Sequence, residues 1–174
     1  VLPIMRSSLR YRDIAFMFNY SIRSDEFIEQ FSAVTLWIPF VGYVVIFRGT
    51  DITTQGWKEN FSMSINSVTA SQLDSVEYLN MFARVYHNKP FIICGHSKGG
   101  NLALYSSLFC SNDIASNITS IYIFDGTGIA DYERISQTRL KALLPRINQI
   151  APKDSVIGEI FFGVEDRQIF ALSP

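Results

Sequence analysis

Charge is scarce in this chain. Only 18% of its 174 residues are Asp, Glu, Lys or Arg, and 15 basic against 16 acidic residues leave a formal net charge of -1. A chain without a basic stripe lacks the electrostatic footprint of a nucleic-acid binder, and no nucleic acid is expected as a partner. Cysteine is as scarce. Cys94 and Cys110 are the only two. Both sit on apolar stretches without metal-ligand spacing, and they read as buried, reduced thiols of a cytoplasmic protein. No metal and no cofactor are expected. Long apolar runs are missing as well. The longest, Ile38 to Phe47, is interrupted by Pro39 and Gly42, and it is too short to span a bilayer. No signal-peptide pattern opens the chain, which starts at Val1 rather than Met. The absence with the sharpest consequence is histidine: the chain has two, His87 and His96.

Apolar residues are plentiful. Hydrophobic residues make up 48% and aromatics 14%, which excludes disorder. The length suits one domain with a single core. Ile14, Phe16, Phe18, Tyr20 and Ile22 alternate with smaller or more polar residues, the period of a strand. Gln30 to Ile38 is a second strand, Pro39 to Gly42 a turn, and Tyr43 to Phe47 a third strand. The front of the chain is therefore expected to be an antiparallel meander.

The pattern then changes. Thr69 and Gln72 fit a capping box, and Leu73, Val76, Leu79, Phe82, Ala83 and Tyr86 recur at helical spacing. Phe91 to Cys94 is a short buried strand. Gly99 to Cys110 is helical, with Leu102, Ala103 and Leu108 on its inner side. Ile118 to Phe124 is a strand that ends in the turn Asp125-Gly126-Thr127-Gly128. A helix over Tyr132 to Leu144, a strand over Ile147 to Ile150 and a last strand over Gln168 to Leu172 complete the pattern. Alternating strands and helices imply parallel pairing through right-handed crossovers. The expected fold is α/β: a mixed sheet, antiparallel at the front and parallel in the core, covered by helices.

Gly95-His96-Ser97-Lys98-Gly99 is a G-x-S-x-G pattern lying between an apolar strand and an apolar helix. That placement reads as a nucleophile elbow; the alternative is a glycine-rich strand-to-helix turn with a solvated serine. The serine must occupy a sharp strand-to-helix turn so that its hydroxyl projects alone. The glycines remove side chains that would collide there, and the helix sets its first amides under developing negative charge. The Lys98 amide is the first oxyanion donor to consider. A phosphate-binding loop is disfavoured, because its longer glycine spacing and Lys-Ser/Thr pair are absent. Upstream, Tyr43 to Trp57 reads YVVIFRGTDITTQGW. A strand there ends in Arg48-Gly49-Thr50, and strand ends of an α/β sheet line the binding crevice. Thr50 can offer an amide and a hydroxyl to an oxyanion. Arg48 fits an ordinary ion pair, and Trp57 fits core packing as well as a lid.

With both motifs in order, the chain resembles the class 3 lipase-type α/β-hydrolases, whose pattern is F-R-G-S/T, a Trp, then G-H-S-x-G. It resembles more closely the Mbeg-like bacterial branch of that superfamily. The residues that carry this are QFSAVT at Gln30 to Thr35, FRGTD at Phe47 to Asp51 and GWKENF at Gly56 to Phe61. GHSKGGNLA at Gly95 to Ala103, DGTG at Asp125 to Gly128 and PKDSVIG at Pro152 to Gly158 extend it over nearly the whole chain. Asn60 replaces an acid, Thr127 replaces proline, and Val156-Ile157 depart from the branch's order. The family pattern runs on to a histidine-bearing segment that these residues do not reach. Residues 1–174 are thus expected to be a single α/β-hydrolase-like domain cut short at both ends.

The resemblance implies a bacterial, cytoplasmic serine hydrolase of acyl esters, with a small acyl-ester or lipid-like substrate. Ser97 would be the nucleophile, and Thr50 and Lys98 the oxyanion donors. Asp125 and Asp154 both follow late strands and both suit the triad acid. Asp125 belongs to the more specific motif, while Asp154 better matches the class 3 order. Neither histidine is expected to be the base. The alternative function is a non-catalytic, hydrolase-like binding or scaffold domain that retains the elbow without a base.

Overall fold

The computed structural model describes residues 2–24, 29–49, 68–87, 89–130, 134–153, 155 and 168–171. Seven strands form one sheet in the order β1-β2-β3-β4-β5-β6-β7. They are β1 (Ala15–Ser24), β2 (Glu29–Ile38), β3 (Gly42–Phe47), β4 (Phe91–His96), β5 (Ile118–Phe124), β6 (Ile147–Pro152) and β7 (Gln168–Ala171). The first three pair antiparallel and the rest are parallel, as the strand and helix pattern predicts. The helices are α1 (Leu2–Ser7), α2 (Ala70–Tyr86), α3 (Lys98–Phe109), α4 (Asn112–Asn117) and α5 (Gln137–Leu143).

Local chemistry explains where these helices begin. Thr69 caps α2 with the predicted capping box: its side chain accepts from the Gln72 amide, and the Gln72 side chain accepts from the Thr69 amide. Two expectations need correcting. The helix drawn from Tyr132 lies in its first residues outside the described ones; the described α-helix begins at Gln137, because Ser136 accepts the Arg139 amide and caps it there. The short α4 falls between two predicted elements, and its cap is Ser111, which accepts from the Ile114 amide.

The sheet order decides where the helices lie. From β3 to β6 each parallel strand is laid down on the same side of the one before. Right-handed crossovers that always advance in one direction put every connecting helix on one face. That face carries Phe31, Ala33, Val45, Phe47, Phe91, Ile93, Ile121, Ile123 and Ile147, all buried. Phe31 and Phe47 meet Tyr78 of α2 edge-on at ring distances of 6.4 and 6.0 Å. Phe82 lies 4.7 Å from Phe91. Helix α3 is held between the sheet, α2 and α5, so Lys98 to Leu108 are buried on every side. This revises the expected single inner face of Leu102, Ala103 and Leu108. On the other face of the sheet Val34, Ile46, Ile92, Cys94, Tyr122 and Ile150 are half-buried. The expectation of a sheet covered by helices thus holds, among the described long helices, for one face.

Candidate active site

The carboxyl ends of β3, β4, β5 and β6 lie side by side, and Ser97 stands at the centre. It follows β4 and directly precedes α3. Its backbone has φ 54 and ψ -125. Positive φ is uncommon for an L-residue, and the small left-handed basin needs ψ of about +30 to +60°. Ser97 therefore sits outside every ordinary well, at a cost of roughly 1–3 kcal/mol. Backbone bonds on both sides sustain the strain. The Ser97 amide donates to Phe124 at 2.9 Å, and its carbonyl accepts from Gly100 at 2.9 Å and Asn101 at 3.3 Å.

The two glycines of the pattern are sterically required. A Cβ on Gly95 would lie 2.1 Å from the Gly99 carbonyl oxygen, and one on Gly99 would lie 2.2 Å from that of Phe47. The strand, the helix and the β3 end thus touch backbone to backbone. A Cβ at Gly49 would come within 3.6 Å of the Ser97 Cβ, so the end of the FRGT segment reaches the elbow. Thr50, the residue singled out there, lies outside the described residues, as do Trp57 and Asp154.

Lys98 behaves differently from its amide. Its side chain is 2% exposed and its ammonium donates to the Gln30 carbonyl on β2. A cation at a helix amino terminus opposes the helix dipole.

Asp125 is the first residue past β5, one strand from the elbow. Its backbone has φ 45 and its amide donates to Ile150 at 2.8 Å. Its carboxylate accepts from the Ser155 hydroxyl. The Ser155 amide donates to the Pro152 carbonyl at 3.1 Å, so the segment after β6 is tied to the Asp125 turn.

The two histidines flank β4. His96 is the last residue of β4, alternates with the inward Gly95, and is exposed rather than tucked beneath loops. His87 caps the carboxyl end of α2, with its amide on Ala83 at 3.0 Å. It precedes β4 at the opposite edge of the sheet, and five strand steps alone are ~16 Å. Among the described residues no group of three or more His, Cys, Asp or Glu side chains could hold a metal ion. Burial pushes the Cys94 thiol up to about 11, which makes it a poor nucleophile.

Sequence reasoning missed Asn101 beside the elbow and gave Gln72 only a capping role. Asn101, 1% exposed, and Gln72, 5% exposed, are joined by a 2.8 Å hydrogen bond. An amide side chain inside an otherwise apolar helical run is the signal that could have drawn attention to Asn101.

The model of the Mbeg1-like family matches residues 5–172. The chain belongs to the Mbeg1-like family. No curated protein matches the sequence. Among solved structures, M37 lipase superposes with a TM-score of 0.62 at 15% identity, over 87% of this chain and 58% of that one. A fungal lipase–inhibitor complex superposes with a TM-score of 0.53 at 15% identity, over 83% of this chain and 60% of that one. The fold of this Mbeg1-like chain is thus the α/β-hydrolase fold of lipases, and the chain spans less than two thirds of the length of either structure. No described helix is long and apolar enough to cross a membrane.

Proposed function

We propose that this chain carries the nucleophile of a serine hydrolase acting on acyl esters. The observation that supports it most is the strained backbone of Ser97, φ 54 and ψ -125, at a strand-to-helix turn. Such strain persists only where the surroundings over-determine it, and it clusters at active sites. In this reading the Ser97 hydroxyl attacks the acyl carbonyl carbon and gives its proton to a base. The tetrahedral oxyanion is met by the Lys98 amide and by Thr50. The ester C–O bond breaks, the alcohol leaves with the proton, and water then hydrolyses the acyl-serine. Asp125 is the preferred acid, because its carboxylate stands on the strand next to Ser97 and is already oriented by Ser155. Asp154 is the second choice. The lipase-like fold suits a small acyl-ester or lipid-like substrate in a bacterial cytoplasm.

In this reading the base is neither His87, at the far end of β4, nor His96, which alternates with the inward Gly95. In this reading it is a histidine outside residues 1–174. The same observation favours the second reading, a binding or scaffold domain that retains the elbow without catalysis.

A fluorophosphonate probe separates the two. The reading requires an adduct on Ser97, mapped by mass spectrometry and lost in Ser97→Ala, in a chain extended past Pro174. It also requires much slower labelling of residues 1–174 alone, because an unassisted serine hydroxyl is a poor nucleophile. No adduct in the extended chain favours the scaffold. Equal, rapid labelling of the short chain overturns the placement of the base.

A further inference from the structure

We propose that Asn101 is a positioning residue that holds the Asp125 turn at a set distance from Ser97, through a buried amide relay anchored on Gln72. The proposal rests on the reading of Ser97 and Asp125 as nucleophile and acid. Asn101 lies one helical turn beyond Ser97, and its own amide reaches the Ser97 carbonyl at 3.3 Å. Its side-chain nitrogen donates to the Gly128 carbonyl at 2.5 Å. Its side-chain oxygen accepts from Gln72 Nε2 at 2.8 Å. Gln72 Oε1 in turn accepts from the Thr69 amide at 3.0 Å. One chain of hydrogen bonds therefore runs from the amino end of α2, through the elbow helix, into the far end of the turn that begins at Asp125.

A second contact presses the same turn onto the same helix. A Cβ on Gly126 would lie 2.9 Å from the Gly100 Cα, and a Cβ on Gly100 would lie 2.9 Å from the Gly126 Cα. The turn rides on the helix backbone, with the Ile123 side chain packed beside both glycines. Asp125 is thus braced from three directions: its amide on Ile150, Gly126 on Gly100, and Gly128 on Asn101. Buried amide side chains are costly unless hydrogen-bonded. Asn101 spends both ends of its carboxamide on joining two separate segments. A leucine of similar volume would fill the space and hold neither. The consequence is geometric. An acid displaced by about 1 Å misorients the base, and misplacements of that size cost up to about a hundredfold in rate.

Two measurements on the full chain test this. The first is a double-mutant cycle on ester turnover with Asn101→Ala and Asp125→Asn. Asn101→Ala is expected to lower kcat about tenfold or more with KM within about twofold. In the Asp125→Asn background it should change kcat by less than about twofold, since the group it positions is gone. Losses that multiply, or an unchanged kcat in Asn101→Ala, overturn the proposal. The second measurement needs no activity. Amide hydrogen exchange in Asn101→Ala is expected to speed up about tenfold or more at Asp125 to Gly128, while Ile93 to Gly95 of β4 stays protected. An unchanged turn overturns the proposal equally. Should Asn101→Ala fail to fold, Gln72→Met removes the anchor and one half of the α2 capping box while the Thr69 hydroxyl still caps the helix, and the same selective loosening is required of it. A parent protein without any Ser97 adduct sinks the hydrolase reading, and the exchange measurement then judges the brace alone.

Discussion

Replacing Ser97 by glycine should make the protein more stable while removing its reactive hydroxyl. Ser97 has φ 54 and ψ -125, where the Cβ of an L-residue collides with its own backbone. The strain is roughly 1–3 kcal/mol. Glycine adopts that region without penalty, but its unfolded chain has more freedom to lose, about 0.4–1 kcal/mol. The net gain is therefore about 1 kcal/mol, or roughly 2–4 °C in Tm for a chain of this size. Ser97→Ala is the control. It removes the same hydroxyl and keeps the Cβ, so the strain stays and Tm should move by less than about 1 °C. Because the Ser97 side chain makes no cap hydrogen bond, neither variant loses an α3 cap. Thermal unfolding followed by circular dichroism, with both variants beside the parent, reads the difference directly. If Ser97→Gly is no more stable than Ser97→Ala, the backbone is not strained as argued, and the support for the elbow falls with it.

Gly95→Ala should do the reverse, because its Cβ would lie 2.1 Å from the Gly99 carbonyl oxygen. Overpacking costs typically about 1–3 kcal/mol, and a backbone-on-backbone clash belongs at the top of that range; a Tm within about 2 °C of the parent would refute it. Thr69→Ala should lose about 1 kcal/mol by denaturant titration, since the cap of α2 goes with the hydroxyl. Tyr78, fully buried, has its phenol pushed up to about 12, by burial first and against a hydrogen bond with Thr35. Above pH 10 the unfolded phenol loses its proton while the folded one keeps it. Stability should therefore fall as pH rises from about 10 to 12, and Tyr78→Phe should flatten that slope in urea melts taken across the window.

Much of this protein is legible in its sequence, for a local reason. The Thr69–Gln72 capping box and the G-x-S-x-G turn report geometry within a few residues of themselves, and each appears in the structure where the pattern puts it. The alternation read in β1 holds only in part, because a bulge between Phe16 and Phe18 turns Phe16 to the other face. The limits of α5 and the existence of α4 escaped, because each depends on one serine cap, Ser136 or Ser111, that looks like any other polar residue. The buried state of α3 escaped too. A helix enclosed on all sides has no polar stripe to mark its orientation, so the burial of Lys98 and Asn101 does not show in the pattern. What Lys98 and Asn101 bond to was decided only in three dimensions. Gln72, Asn101 and Gly128 lie far apart along the chain. They meet because the sheet order sends every crossover helix to one face, and because glycines at 100 and 126 let the β5 turn settle on the backbone of the elbow helix. The sequence names a serine on a turn; sheet order and the fit of one backbone against another decide what stands around it.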